Sequence, residues 1–212
     1  VHDVPLSAGF PSTQLGIPPE VLVSTARKLV TVEDWLALPG EERAELIEGQ
    51  LVYRTLPSAE HSFSASKLNG ALDPFNRRGG GGGPGGWWIG TEAHVLYPGR
   101  PNGFVHDLAG WRRDRHLERP KGNRIAAKPD WICEIVSTNR RDDYVRKKRV
   151  LHEHRVEDYW LLDHRDALLT AMKWVEGGFF PYAEATLGEK VRLEPFEGVE
   201  LDVSALLGET DD

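Results

Sequence analysis

The run Lys128 to Ser137, Lys-Pro-Asp-Trp-Ile-Cys-Glu-Ile-Val-Ser, constrains the fold more than any other stretch of the chain. From Trp131 to Val136 it is apolar and rich in β-formers, with a single carboxylate. Pro129 suits the first residue of a strand and not its middle, where the missing N–H would break the ladder. In an extended chain Ile132, Glu134 and Val136 share one face, and Trp131, Cys133 and Ile135 the other. Apolar residues on both faces predict a central strand covered on both sides. An ionised carboxylate is costly there unless a cation meets it. Glu134 is therefore read in one of two ways: a glutamate paired with an arginine, or a metal ligand at the end of a buried strand.

The flanking sequence supplies the rest of a sheet. Trp87 to Tyr97, Phe104 to Trp111, Asp158 to Asp163, Leu168 to Val175 and Phe179 to Ala185 read as strands, and Val191 to Phe196 as a shorter one. Glu176-Gly177-Gly178 marks a C-terminal β-hairpin. Leu46 to Arg54 holds two β-like pieces about a Glu48-Gly49 turn. Thr31 is placed to N-cap a short helix through Leu38, which Pro39-Gly40 ends. Ser58 to Asn76 carries Phe63, Leu68, Leu72 and Phe75 at helical spacing. Arg141 to His154 reads as a helix, and Val203 to Leu207 as a short closing one. Strands, then a helix, then strands predict an α+β fold of α/β/α-like layering, with a mixed β-sheet flanked by helices. Residues 1–30 are expected to form an N-terminal arm, and 31–207 a single domain.

Composition narrows the function classes. The formal net charge of −7 argues against broad nonspecific nucleic-acid binding, which needs a basic surface. Local basic clusters remain at Arg112, Arg113 and Arg115, and from Arg140 through Arg149. A single cysteine, Cys133, excludes an intramolecular disulfide and a cysteine-based zinc site. No apolar run approaches a membrane span, and Val1 to Pro19 shows no secretory pattern, so the expectation is a cytoplasmic protein without a membrane partner. Gly79 to Gly86 lacks the Gly-Lys-Ser/Thr of a phosphate-binding loop and reads as a connector.

A second carboxylate completes a plausible chemistry. Asp107 lies in Phe-Val-His-Asp-Leu-Ala-Gly-Trp, where Val105, Asp107 and Ala109 alternate onto one face. Two strands each lifting one acid to a common edge make a magnesium site, because Mg²⁺ takes oxygen ligands from one or two carboxylates and completes its octahedron with water and phosphate. A lysine nearby would orient the attacking water and stabilise charge on the phosphoryl group. Lys147 and Lys148 flank the apolar face of Tyr144, Val145, Val150 and Leu151 about equally, so periodicity does not choose between them. His152-Glu153-His154 lacks the spacing of a metal motif and reads as surface. The aromatic residues on strands, Trp131 and Trp160 among them, read as core.

Pro129 to Thr138 is similar to a hallmark segment of the Uma family of proposed restriction endonucleases, within the PD-(D/E)XK nuclease superfamily. The resemblance continues through Arg140 to Lys147 and Val156 to Asp163, and upstream through Glu45-Leu46-Ile47-Glu48-Gly49, His61 and Asp107 to Trp111. Glu194-Pro195-Phe196 also fits, so the match spans roughly Thr31 to Leu207. It implies a restriction-endonuclease-like fold with Asp107 and Glu134 as metal acids and Lys147, rather than Lys148, as the catalytic lysine. It further implies Asp143 as the acid before that lysine, Glu48 as an N-terminal acid completing the site, and His61 either at the site or at a helix start. Glu92 reads as a solvated acid. In two places the sequence departs from the superfamily pattern. His106 stands where proline is expected and reads as solvent-facing, with an approach to the site as the alternative, and Val136 stands where a lysine could follow Glu134. The resemblance implies a metal-dependent endonuclease hydrolysing DNA phosphodiester bonds with Mg²⁺, Mn²⁺ substituting. The alternative is an inactive nuclease-fold protein that binds nucleic acid or a protein partner. The apolar C-terminal hairpin, an edge in need of cover, adds the expectation of a homodimer.

Overall fold

The computed structural model describes residues 29–39, 42, 44–77, 84–136 and 140–209. The expected N-terminal arm and most of the glycine connector lie outside the described residues. Among the described residues, eight strands form one mixed sheet. They are β1 (Ala44–Ile47), β2 (Gln50–Tyr53), β3 (Trp87–Tyr97), β4 (Asn102–Arg112), β5 (Trp131–Ile135), β6 (Asp158–Asp163), β7 (Leu168–Val175) and β8 (Gly178–Thr186). Their order is β2-β1-β4-β5-β6-β7-β8, with β3 paired to β4. The pair β5–β6 is parallel and the others are antiparallel. The crossover between β5 and β6 contains a π-helical segment, Asp142–Lys147, that runs into the α-helix Lys148–Glu153.

β5 is the interior strand its sequence predicts, and all five of its residues are buried. Trp131, Cys133 and Ile135 enter one core, with Leu68 and Leu72 of the helix α2 (Ala59–Leu72) and Leu206 of the closing helix Val203–Leu207. Ile132 enters the core on the other face, with Val150 and Leu151 of the crossover helix. The layering is thus helix, sheet, helix. Phe196 packs edge-on against Trp131 and Trp160 at centroid distances of 4.9 and 5.7 Å. It does so from a loop. The expected strand Val191 to Phe196 reduces to Lys190–Val191, paired with Leu201–Asp202.

Local chemistry sets the element ends. Thr31 and Asp34 form a reciprocal capping box on the helix Val32–Leu36. The turn between β1 and β2 places Glu48 and Gly49 at φ of 53° and 75°, the paired left-handed geometry of a two-residue hairpin. Ser58 caps α2 by accepting the His61 N–H at 3.2 Å. Phe63, expected on the buried face of α2, is 68% exposed, and Ser64 is buried beside Leu68 instead. The Ser64 hydroxyl donates to the Leu206 carbonyl at 2.5 Å, which satisfies a polar group inside the helix contact. No helix among the described residues is long and apolar enough to cross a membrane.

Trp35 fixes the first helix to the sheet. Its ring lies over Gly103, where a Cβ would meet ring carbons at 2.4 and 2.6 Å, and its indole N–H donates to the Ala44 carbonyl at 2.7 Å. Gly103→Ala is expected to cost about 1–3 kcal/mol through overpacking, read as a lower urea midpoint at unchanged slope. A midpoint equal to wild type would show that the ring is not seated there. A second prediction concerns pH. Asp158 is 2% exposed, and burial pushes its carboxyl up to about 6 from the usual 3.8 despite Lys173 nearby. A raised acid holds its proton more tightly when folded, so its contribution is full below about pH 4 and is lost as pH rises through 6. Asp158→Asn is expected to flatten that part of the stability curve and to gain roughly 1–2 kcal/mol at pH 7. Parallel curves for the two proteins would refute the assignment.

Candidate active site: a buried acid cluster around Lys147

Adjacent antiparallel strands bring the two acids together. β4 and β5 pair at Gly110↔Trp131, Ala109↔Ile132 and Leu108↔Cys133, so Asp107 follows opposite Glu134. There the backbone ladder gives way to a side chain, and Asp107 Oδ2 accepts the Ile135 N–H at 2.8 Å. On its other side, the pairing of β4 with β3 skips Glu92 and Asp107. Glu92 has φ of 48°, a left-handed backbone that costs a non-glycine residue roughly 1–2 kcal/mol. The strand alternation breaks at this point. Phe104 and Ala109, of opposite parity, pack in the same core, so the simple alternation expected for β4 does not hold along its whole length.

Asp107 and Glu134 line a cleft of about 390 Å³ together with Glu45, Arg54, His61 and Lys147. The Asp107 carboxylate accepts from Arg54 at 2.9 Å and lies 3.1 Å from His61 Nε2. Burial pushes Asp107 up, but His61, Lys147 and Arg54 outweigh it and hold its pKa below the usual range. The same contact raises His61 against its own burial. Arg54 also pairs with Glu92 at 3.3 Å, so Glu92 is half-exposed and engaged.

Lys147 is 3% exposed. Its ammonium lies 3.1 Å from Glu45, 3.2 Å from Asp143 and 3.4 Å from Glu134. Burial alone would lower its pKa, but these acids hold it well above the ordinary value, so it is charged. Burial raises Glu45, and it pushes Glu134 up to about 8 against the pull of Lys147, with Asp107 and Asp143 adding to the rise. The physical content is a surplus of carboxyl groups over cations, and Glu134 keeps its proton at neutral pH because of it. Glu45, Asp107, Glu134 and Asp143 surround two permanent cations, Arg54 and Lys147.

The structure brings Asp107, Glu134, Lys147, Asp143 and His61 to this cleft. It does not bring Glu48, which sits at the β1–β2 turn and pairs with Arg149 and, at 3.6 Å, with Arg100. Glu45 stands in the cleft instead, and it also accepts the Val105 N–H at 2.9 Å. The hairpin geometry turns Glu48 outward. All four residues of β1 are buried, so no alternation marked Glu45 as special. Lys147 rather than Lys148 faces the acids because the i→i+5 turn of Asp142–Lys147 changes the angular step and leaves Val145 54% exposed. His106, expected at the surface, is 0% exposed and contacts Glu134. Arg54 belongs to no motif in the sequence, and its signal is a lone cation following an edge strand.

Among the described residues, no group of three or more His, Cys, Asp or Glu is arranged as a ready-made metal cage. The donor chemistry nevertheless fits Mg²⁺, which needs only one or two carboxylates and takes its other ligands from water and phosphate. A divalent cation would also let Glu134 give up its proton, since it would offset the charge of four ionised acids around Arg54 and Lys147.

A mixed sheet between helices, with paired acids and a lysine at the separation of two central strands, defines a nuclease-type fold. A solved structure described as "a putative nuclease belonging to DUF820", from Anabaena variabilis ATCC 29413, has a similar fold, with a TM-score of 0.66 at 18% identity. The similarity covers 84% of this chain and 98% of that one. A family model matches residues 32–204, and the chain belongs to the Uma2 family, described as "Putative restriction endonuclease". No curated protein gives a significant match.

Removing one partner of a buried ion pair typically costs about 3–5 kcal/mol, because the remaining charges lose their compensation. Lys147→Met is expected to lose stability on that scale in urea unfolding without metal. Lys148→Met, which touches none of the acids, should stay within about 0.5 kcal/mol of wild type. Equal effects of the two substitutions would contradict the central placement of Lys147.

Proposed function

We propose that this protein is a Mg²⁺-dependent endonuclease that hydrolyses phosphodiester bonds of DNA, with Asp107 and Glu134 holding the metal and Lys147 as the catalytic lysine. The observation that carries the proposal is the surplus of buried carboxylates at the point where β4 and β5 separate, with one charged lysine among them. Family membership supports nuclease chemistry in general, and Mn²⁺ would serve the same oxygen ligands. When bound, Mg²⁺ would polarise a phosphoryl oxygen and favour ionisation of a water. The chain supplies the positioning. Asp107 and Glu134 approach from adjacent strands, and the Asp107 carboxylate is further fixed by the Ile135 N–H. Lys147, anchored by Glu45 and Asp143, points its ammonium toward Glu134, where it can orient the attacking water and stabilise charge on the phosphoryl group. Arg54, part-exposed at the cleft, can meet a non-bridging phosphate oxygen.

A second reading, a nuclease-fold protein that binds nucleic acid or a protein without cutting, draws on one observation. Asp107 is already neutralised by Arg54 and His61, so the cleft is partly satisfied without metal. We also propose a homodimer, because β8 ends the sheet and leaves Phe180 61% exposed. Light scattering that returned only the 23.8 kDa of one chain at micromolar concentration would reject the dimer.

The activity test uses plasmid DNA with Mg²⁺ or Mn²⁺. Glu134→Gln and Asp107→Asn are expected to lose metal affinity by calorimetry and cleavage together, with circular dichroism unchanged. Lys147→Met should keep much of the metal affinity and lose turnover by about 10²-fold or more, assayed below its melting temperature, while Lys148→Met stays near wild type. Loss of cleavage on replacing Lys148 but not Lys147 would overturn the lysine assignment. Nucleic-acid binding that persists in EDTA, with no cleavage under either metal, would favour the second reading.

A further inference from the structure

We propose that His106 is a positioning residue which, held by Tyr97, fixes the Glu134 carboxylate in the orientation that receives the metal. The inference rests on the reading of Glu134 as a metal ligand. The superfamily pattern places a proline at position 106, which offers no side-chain hydrogen bond. Here the imidazole is fully buried, and Nδ1 lies 2.5 Å from Glu134 Oε1. On the far side, Nε2 lies 2.8 Å from the Tyr97 hydroxyl, and Tyr97 is itself 2% exposed. The rings of Tyr97 and Phe104 stand nearly perpendicular to the imidazole, at 5.9 and 5.8 Å. The two rings also meet each other, at 5.2 Å, so they pack as a pair against one side of the buried imidazole, and the bonds at Nδ1 and Nε2 fix the rest of its orientation.

The consequence falls on Glu134. Its two oxygens have different partners: Oε1 meets His106 and Oε2 meets Lys147 at 3.4 Å. A carboxylate can accept about four hydrogen bonds, two per oxygen. One partner on each oxygen fixes the plane of the group and leaves acceptor capacity for a cation. With Glu134 ionised, as a ligand must be, the protons have one consistent arrangement. The Tyr97 hydroxyl donates to Nε2, and Nδ1–H donates to Oε1, so every polar atom of the chain Tyr97–His106–Glu134 is satisfied. Hydrogen bonds to a ligating carboxylate orient it and tune its affinity, and removing such a partner typically costs about 10–100-fold in metal affinity or activity.

The test is calorimetric titration of the metal-free full chain with Mn²⁺. His106→Leu fills the space but removes the donor, and it is expected to weaken binding by about 10–100-fold. His106→Asn puts an amide N–H near the place of Nδ1, and it should bind within a few-fold of wild type. Tyr97→Phe deletes one oxygen and should give a smaller, measurable loss. Rescue by asparagine separates positioning from packing, since asparagine fills the cavity less well than leucine. His106→Leu binding as tightly as wild type, or His106→Asn binding as weakly as His106→Leu, overturns the inference. Should His106→Leu fail to fold by circular dichroism, Tyr97→Phe decides: an affinity equal to wild type overturns it. Glu134→Gln separates the two levels. Wild type binding no better than Glu134→Gln removes the metal-ligand reading and this inference with it. Wild type binding better than Glu134→Gln, with His106→Leu unchanged, removes this inference alone.

Discussion

One buried ammonium organises the functional end of this molecule. Lys147 meets an acid from β1, an acid from β5 and an acid one turn back on its own helical segment. Each carboxylate would be costly in the core without it, and the lysine would be costly without them. The contacts therefore lock three elements to one another electrostatically, on top of their apolar packing. Burial makes each charge sensitive to its neighbours, so any change in the ionic content of the cleft is felt by the whole group. Such strain is tolerable in a fold whose stability comes from elsewhere, and here two apolar cores cover the faces of β5.

Geometry at β4 shows how the sheet accommodates the cluster. A regular ladder would continue past Leu108 and Cys133 and pair Asp107 directly with Glu134, two acids side by side on one face. Instead the Asp107 carboxylate takes over a backbone donor, Ile135 N–H, and the pairing toward β3 lapses at Glu92 with the register unchanged on either side. The left-handed φ at Glu92 and the break in facial parity belong to the same irregularity. Irregular strands beside functional clefts are a recurring way to re-aim side chains without dismantling a sheet.

Apolar residues on both faces made β5 legible in the sequence, because a strand covered on both sides leaves few alternatives. The hairpins and the first helix were legible for a similar reason: Glu48-Gly49, Glu176-Gly177-Gly178 and the cap Thr31 act within a few residues of themselves. The choice between Lys147 and Lys148 was not open to periodicity, since it depends on a helical segment whose step differs from the α-helix. The place of His106 was hidden for another reason. A histidine is buried or exposed according to its partners, and those partners, Tyr97 and Glu134, lie on neighbouring strands. Glu45 and Glu48 are hard to tell apart in the sequence, because two acids three residues apart differ only in whether they stand on the strand or at its turn. Phe63 departs in the opposite sense, as an apolar residue on a helix face that nothing among the described residues covers.

The distances along the chain between cluster members carry a consequence for folding. Glu45 reaches Val105 across 60 residues, Arg54 reaches Asp107 across 53, and Asp107 reaches Ile135 across 28. None of these contacts can form within a local segment, and closing such loops costs entropy before any contact rewards it. A chain part-way through folding holds its acids and cations apart in water, where each titrates near its ordinary value. The perturbed charges arise only with the assembled topology, so the chemistry of the cleft exists only once these long-range pairings of the sheet are made.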